Sequence, residues 1–370
     1  VGEYLLKTDL LVVGGSVSGC ACAKEASKNG LDVAVVEEHG IVGKQRKCTT
    51  IVSRKGLEEI GADYGKSVLN KIRGARIIAG DYGTVVESSV VQAFVLDRQK
   101  FDEECAREAV DAGAKIFLNS RATAFAEHAN GLKVSAGKKF FDAKIVVGAD
   151  GATSTTAALN SFPQISKFVL CYEAEYENAM VEDRRRVDVF LDAESCRGFF
   201  GWIVPCGEET VRVGFGTSDF KKIGLRKKKF FEKKAIAECL KKARKKREFH
   251  ALIPVTVREA TQNGRFLLVG DAAGQTKATT GGGIVFGSLC AKEAARACAR
   301  NLLNGEELSY ERAWRKKYGG VLGLHEKLRC SMNLFGNGLN EWLVSSMNLG
   351  FNRVLSRVGD MDFVADFFRK

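Results

Sequence analysis

The chain has 370 residues, 45% of them hydrophobic and 28% charged, an ordinary globular composition with length enough for two domains or one domain and a lobe. It contains no apolar run near the roughly 18 to 20 residues of a membrane span, and its first residues, VGEYLLKTDLLVV, lack the basic start and long apolar stretch of a signal peptide. The 11 cysteines are scattered without a C-x-x-C pair and the four histidines lie far apart, so a disulfide framework, a metal site and a histidine-based triad are not expected, and a reducing cytosolic compartment is the default.

In chain order, the first predicted unit is β-α-β. Leu10 to Val13 is a short apolar strand, residues 16 to 28 form a helix of small side chains stopped by Gly30, and Leu31 to Val36 is a second strand ending on Glu37. The loop between, VVGGSVSG at 12 to 19, fits the dinucleotide fingerprint G-x-G-x-x-G. Gly14 supplies the tight turn, and Gly19 lets the helix approach the strand. Backbone N–H groups at the helix start face a pyrophosphate, and Glu37 accepts from a ribose. Ser16 stands where the middle glycine is usual; Gly15 keeps the backbone freedom, and a serine can donate to a phosphate. Ser18 and Glu38 belong to the same expected binding surface.

Three later segments also point at a nucleotide. VLDRQKFDEECAREAVDAGA (95 to 114) puts Arg98 where a strand enters a helix, suited to a phosphate or a flavin edge. KIVVGADGATS (144 to 154) is an apolar strand ending in Asp150-Gly151, and GRFLLVGDAAG (264 to 274) repeats the design with Gly270-Asp271. An aspartate in that place can hydrogen-bond a ribityl chain, and a helix starting near Gly281 can stabilise negative charge on a reduced flavin. This set favours FAD over NAD as the cofactor.

Between these segments, residues 161 to 216 alternate as strands do, and with 75 to 95 they are expected to build an antiparallel sheet over the flavin. Phe199, Phe200, Trp202, Ile203 and Val204 would give it an aromatic wall. Residues 221 to 247 hold fourteen basic and two acidic residues, which accounts for the whole net charge of +12. With Phe230, Phe231, Ile236, Leu240 and Ala243 interleaved, the stretch reads as one basic amphipathic helix, either packed on the core or attracted to an anionic surface. No nucleic-acid motif accompanies it, so lipid headgroups are the better partner and nucleic acid is not expected. Residues 305 to 370 read as helices, including LNEWLVSSMNLGFNRVLSRV, that cap a pocket or rest on a membrane.

The combination resembles the flavoprotein group that includes para-hydroxybenzoate hydroxylase and, within it, the geranylgeranyl reductase family. KATTGGGI (277 to 284) is similar to that family's K-P-T-T-G-G-G-I, and FGWIVPCGEETVRVGFG (200 to 216) to its Y-x-W-x-F-P followed by G-x-G; GDMD at 359 to 362 matches its C-terminal part. The departures are Thr49 and Thr50 after Cys48, where the family has glycine, with Ala278 for proline, Phe200 for tyrosine and Val204 for phenylalanine. They bear on substrate fit more than on flavin binding.

The resemblance implies an α/β fold: a Rossmann-type FAD-binding domain from 1–74, 96–160 and 255–304, an antiparallel β-sheet substrate lobe from 75–95 and 161–254, and a C-terminal helical region over 305–370. It implies FAD held additionally by Lys47, Cys48, Ala122, Gly281, Gly282, Gly283 and Ile284, the triple glycine lying against the flat ring. It implies saturation of isoprenoid double bonds, with hydride from the flavin and a proton from Cys48, against a wall of Phe200, Trp202 and Pro205. Cys206 follows Pro205 and is near enough in sequence to that wall to approach Cys48. The expected partners are an isoprenoid lipid, an electron donor (NAD(P)H, ferredoxin or deazaflavin) and an anionic membrane surface, at which a cytoplasmic protein is peripherally bound. A flavin monooxygenase acting on an aromatic or polyene substrate shares the fold and is the rival expectation.

Overall fold

The computed structural model describes residues 5–44, 47–332 and 336–347. The sequence motif GDMD and the second half of the 339 to 358 stretch lie outside them. Three sheets organise the chain. The first carries five parallel strands in the order Phe266–Leu268, Lys139–Gly148, Leu5–Val13, Val33–Val36 and Lys115–Phe117. An antiparallel ribbon, Gly131–Ala136 with Ala122–His128, is attached to Lys139–Gly148. The central strand, Leu5–Val13, is buried on both faces from Leu10 to Val13, which is why it reads as an unbroken apolar run.

The helix Val17–Lys28 follows the first glycine loop. Its buried face is Cys20, Ala23 and Ala26, small enough to lie close to the sheet and to the long helix Ile284–Asn304. Gly14 makes this possible. Its φ is +106°, and a Cβ there would sit 2.4 Å from the Ala149 carbonyl oxygen, while a Cβ on Gly19 would sit 1.9 Å from the Gly14 oxygen. Neither position admits another residue without moving main chain.

The second sheet runs Arg244–Pro254, Phe168–Glu177, Thr210–Thr217, Gly201–Pro205, Arg186–Phe190, Gly74–Ala79 and Tyr82–Glu87. All its joins are antiparallel except that of Arg186–Phe190 with Gly74–Ala79, which is parallel. Ala93–Leu96 does not join it; that strand forms a small third sheet with Ile51–Ser53 and Val68–Ile72.

The basic stretch departs from the single expected helix. It divides into the helices Ile223–Phe231 and Lys234–Leu240, and its last residues enter the strand Arg244–Pro254. Phe230 and Ile236 are fully buried beside Phe215, Val211 and Tyr172 on the outer face of the second sheet. The apolar spacing therefore records core packing; removing a buried phenylalanine of this kind costs about 3 to 5 kcal/mol. Much of the charge is also answered. Lys229 meets Glu194 at 2.9 Å, Lys233 meets Asp192 at 2.7 Å, and Arg244 and Lys246 share Glu177. Exposed lysines 221, 222, 234, 241 and 242 have no carboxylate partner among the described residues.

C-terminal helices Tyr310–Trp314, Gly320–Met332 and Asn337–Met347 follow, the first two linked by a π-helical turn at Arg315–Gly319. Among the described residues, no helix is long and apolar enough to cross a membrane.

Candidate functional site

Two cavities meet between the first and second sheets. The first, of about 330 Å³, is lined by Gly14, Gly15, Ser16, Glu37, Glu38 and Ala122, with Asp150 and Asp271 at its inner end. The Glu37 carboxylate is fixed by the Gly15 N–H at 2.9 Å and by the backbone N–H and ring Nδ1 of His39 at 3.0 and 2.6 Å. Ser16 is the N-cap residue of Val17–Lys28, yet its side chain does not cap the helix. Ser16 lines this cavity, while Val17 and Ser18, the first residues of the helix, line the second one described below; the Val17 N–H donates to Asp102. Asp150 lines this cavity and also shapes the adjoining turn. Its carboxylate accepts from Ser154 Oγ at 2.5 Å and from Thr156 N and Oγ1 at 2.8 and 3.0 Å.

The second cavity, of about 340 Å³, is continuous with the first through Ser16, Lys47, Arg98, Ala149, Gly151 and Asp271, which line both. Its floor is Gly281, Gly282, Gly283 and Ile284, at the start of the helix Ile284–Asn304, whose N-cap Gly283 offers no side chain. Its far wall is apolar and aromatic: Phe199, Phe200, Trp202, Val204 and Ile253. Ser18 and Cys48 also line it.

At the junction, Arg98 Nε donates to Asp102 Oδ2 at 2.9 Å. Burial works against the guanidinium charge, but Asp102 and the Cys48 sulfur outweigh it, so Arg98 stays charged. Asp271 sits opposite. Burial pushes its carboxyl above the usual range, with Arg98 opposing, and it accepts no hydrogen bond from the described residues. The residues thus fit an extended dinucleotide such as FAD. One end offers the bare main chain of Gly14 and Gly15, the Ser16 side chain and a ribose-directed carboxylate. The middle holds a cation and an acceptor awaiting a hydroxyl, and the other end is a bare backbone floor. Bound there, FAD would rest on Gly15, Ser16 and Glu37 at one end and on the 281–283 backbone at the other.

The second sheet also brings together a group the sequence did not single out. Glu173 is buried, and lines the second cavity. Its Oε2 accepts from Trp202 Nε1 at 2.8 Å and from Thr49 Oγ1, while Oε1 has no partner. The register explains the contact. Glu173 and Trp202 lie on either side of Gly214 in three adjacent strands. A Cβ on Gly214 would fall 2.6 Å from the Trp202 ring, so the indole reaches Glu173 only because that position is bare. Gly216 does the same for Phe199, at 2.4 Å. Burial raises the Glu173 carboxyl above the usual range; Arg212 and Arg247, with the bonds from Thr49 and Trp202, oppose it. The signal was present in Val169-Cys171-Glu173, where an acid occupies the inward face of an alternating strand.

The remaining expected residues divide. Phe200 and Trp202 line the second cavity, and Lys47 the junction. Gly19 and Gly270 line neither cavity: Gly19 packs on Gly14, and Gly270 makes room for the Ser18 hydroxyl, to which a Cβ would come within 2.7 Å. Pro205 is also outside the cavity; it closes the strand Gly201–Pro205, and its carbonyl accepts from Asn70 at 2.9 Å. Cys48 and Cys206 are both free thiols. Cys206 is buried in the core with Ile72 and Val95, its Sγ bonded to the Val204 carbonyl, and does not line the cavity that Cys48 faces.

Comparison with known proteins agrees with this geometry. Residues 7–291 match the FAD binding domain family. The chain is 30% identical over 338 residues to a digeranylgeranylglycerophospholipid reductase of Methanocaldococcus jannaschii, covering 87% of this chain and 85% of the relative. Its fold is similar to that of a geranylgeranyl bacteriochlorophyll reductase-like protein of Thermoplasma acidophilum, with a TM-score of 0.85, 22% identity and 97% of each chain covered. A flavin-dependent brominase shares the architecture at a TM-score of 0.76 and 14% identity, over 95% of this chain and 93% of the other. The chain therefore belongs to the FAD-binding flavoproteins and, within them, to the geranylgeranyl reductase family.

Proposed function

We propose that this flavoprotein reduces carbon–carbon double bonds of geranylgeranyl chains carried by a membrane-lipid precursor. The observation that carries the reading is the apolar second cavity with a buried carboxyl at its aromatic wall, Glu173, whose Oε1 is unpartnered. Bound FAD, once reduced, supplies the hydride. The chain's own residues must supply the rest.

A trisubstituted alkene has no carbonyl to polarise, so a proton must be delivered at one carbon while the other receives hydride. Glu173 holds that proton at Oε1. Trp202 and Thr49 occupy Oε2 as donors, which leaves Oε1 as the atom that carries the hydrogen. Cys48 is less well placed as the acid, because its sulfur accepts from the Thr50 N–H at 3.3 Å and from Arg98. Its part is to hold the loop 48–50 and Arg98 at the junction. The Trp202 ring, oriented by its bond to Glu173, offers a π-face to the positive charge that develops at a tertiary carbon. Phe199, Phe200 and Ile253 exclude water from that charge.

A reduced nicotinamide, a ferredoxin or a deazaflavin returns electrons to the flavin. The unpaired lysines 221, 234, 241 and 242 favour an anionic bilayer, to which the protein binds peripherally. The deciding experiment is anaerobic incubation of chemically reduced enzyme with a geranylgeranyl phospholipid, followed by mass analysis. Products heavier by steps of two hydrogens support the reading. Oxygen insertion on readmitting air, with no such steps, would replace it with the monooxygenase reading.

A further inference from the structure

Behind the aromatic wall lies a larger pocket, of about 660 Å³, with a different character. Its lining includes Arg197, Lys222, Arg226, Lys229 and Arg329, against two acids, Asp192 and Glu194. We propose that this pocket binds the phosphate group of the isoprenoid lipid whose chains occupy the apolar cavity; the lipid part of this assignment rests on the reductase reading above.

The charge balance of the lining favours an anion. Both lining acids are already matched: Asp192 by Lys233 at 2.7 Å and Glu194 by Lys229 at 2.9 Å. Arg226 is held by Asp219 at 2.7 Å and by the Glu194 carbonyl, also at 2.7 Å. That leaves three cations. Arg197 and Lys222 stand exposed on the rim and form no ion pair among the described residues; Asp219, the acid that feels both, is bound to Arg226. Arg329 is only 6% exposed. It donates to the Ala278 carbonyl at 3.0 Å and to that of Gly198, and no carboxylate among the described residues pairs with it. A buried cation without a counter-charge is costly; a monoanionic or dianionic phosphate offsets that cost at Arg329 and accepts charge-assisted hydrogen bonds from the two rim cations.

The partition between the two spaces ties the anion to the lipid. Phe199 and Phe200 are stacked at 4.3 Å and line both the apolar cavity and the basic pocket. Arg329 lies 5.2 Å over the Phe199 ring, so its charge borders the apolar space. An amphiphile with chains on one side of the pair and a phosphate on the other fits this arrangement; a small free anion would use only half of it. The mouth agrees with delivery from a bilayer. Leu225 lines the pocket and is 54% exposed, and the helix that contributes Asn337 and Asn340 exposes Trp342 to 62%.

The test uses the full-length holoenzyme and saturated phytanyl lipids, which cannot be reduced, in non-ionic detergent. Calorimetric affinities are compared for a phytanyl glycerophosphate and for the same lipid lacking phosphate. The wild type is expected to bind the phosphorylated lipid about tenfold or more tightly, with the preference shrinking as salt is raised. In the rim variant Arg197→Ala/Lys222→Ala, whose changes are exposed and leave the core intact, most of the preference is expected to vanish while affinity for the neutral lipid stays. Equal affinity of the wild type for both lipids overturns the proposal, as does a preference that survives the rim variant. Inorganic phosphate alone is the third arm: if it binds as tightly as the glycerophosphate lipid, the pocket serves free phosphate and the lipid assignment fails. Because no turnover is read, a protein that shows the preference but reduces no geranylgeranyl lipid sinks the reductase reading and leaves the pocket standing.

Discussion

Replacing Glu173 by Gln tests the proton source with the least disturbance of shape. The glutamine amide oxygen can still accept from Trp202 Nε1 and Thr49, so the indole keeps its orientation. The amide NH2 takes the place of Oε1, which has no partner to lose, and the side chain can no longer release a proton. A positioned general acid contributes about 10²- to 10⁴-fold, or roughly 3 to 5 kcal/mol of barrier. The expected result is a fall of that size in the single-turnover rate of reduced enzyme with geranylgeranyl lipid, at nearly unchanged lipid affinity. Wild-type rate should fall as pH rises through the raised pKa of Glu173, and this limb should be absent from the variant. Stability supplies a second readout. The folded protein keeps the Glu173 proton to a higher pH than the unfolded chain, whose group ionises near 4.5. The unfolded state therefore binds fewer protons in that window, and wild-type stability declines as pH rises from about 4.5 toward the folded pKa. The melting temperature of the variant, relative to wild type, should thus climb as pH rises above about 4.5. A variant rate within about threefold of wild type would refute Glu173 as the acid, and a flat difference in melting temperature would refute its buried, protonated state.

Gly14→Ala places a Cβ 2.4 Å from the Ala149 oxygen at a φ of +106°, so we expect purified variant to carry little flavin, measured as yellow absorbance per protein, even after incubation with FAD. Gly214→Ala drives a methyl against the Trp202 ring and the Tyr172 carbonyl, each 2.6 Å away, and should destabilise the protein by about 1 to 3 kcal/mol in denaturant titrations while slowing turnover through a displaced indole. For membrane binding, changing lysines 221, 234, 241 and 242 to Gln should release the protein from anionic vesicles in sedimentation, at about 1 kcal/mol per lysine. The same change at Lys227, Lys228 and Lys229 should matter less, because those lysines pair with Glu248, Glu232 and Glu194.

How far the sequence was readable depends on how local each constraint is. The first glycine loop was legible because its demands sit within a few residues: a positive φ at Gly14 and the approach of Gly19 to it. The K-x-T-T-G-G-G-I run was legible for the same reason, with Lys277 and Gly282 closing one turn. The basic stretch was misread as one helix because its neutralising acids are remote. Glu177 and Glu175 answer its arginines from a neighbouring strand, and the chain turns into that sheet at Arg244, where helical and strand spacing of the apolar residues overlap. Glu173 is the sharpest case. Its meaning depends on Trp202, 29 residues on, and Thr49, 124 residues back, and on Gly214 lying bare between strands. Taken alone, the alternation around residues 168 to 177 gives an acid on a buried face, a defect in any ordinary core. It becomes sensible only once the register sets an indole N–H and a hydroxyl on one oxygen, leaves the other buried without a partner, and places the residue beside an apolar cavity. A carboxyl held that way is costly to ionise, and so is retained as an acid where a substrate without polar groups would need one.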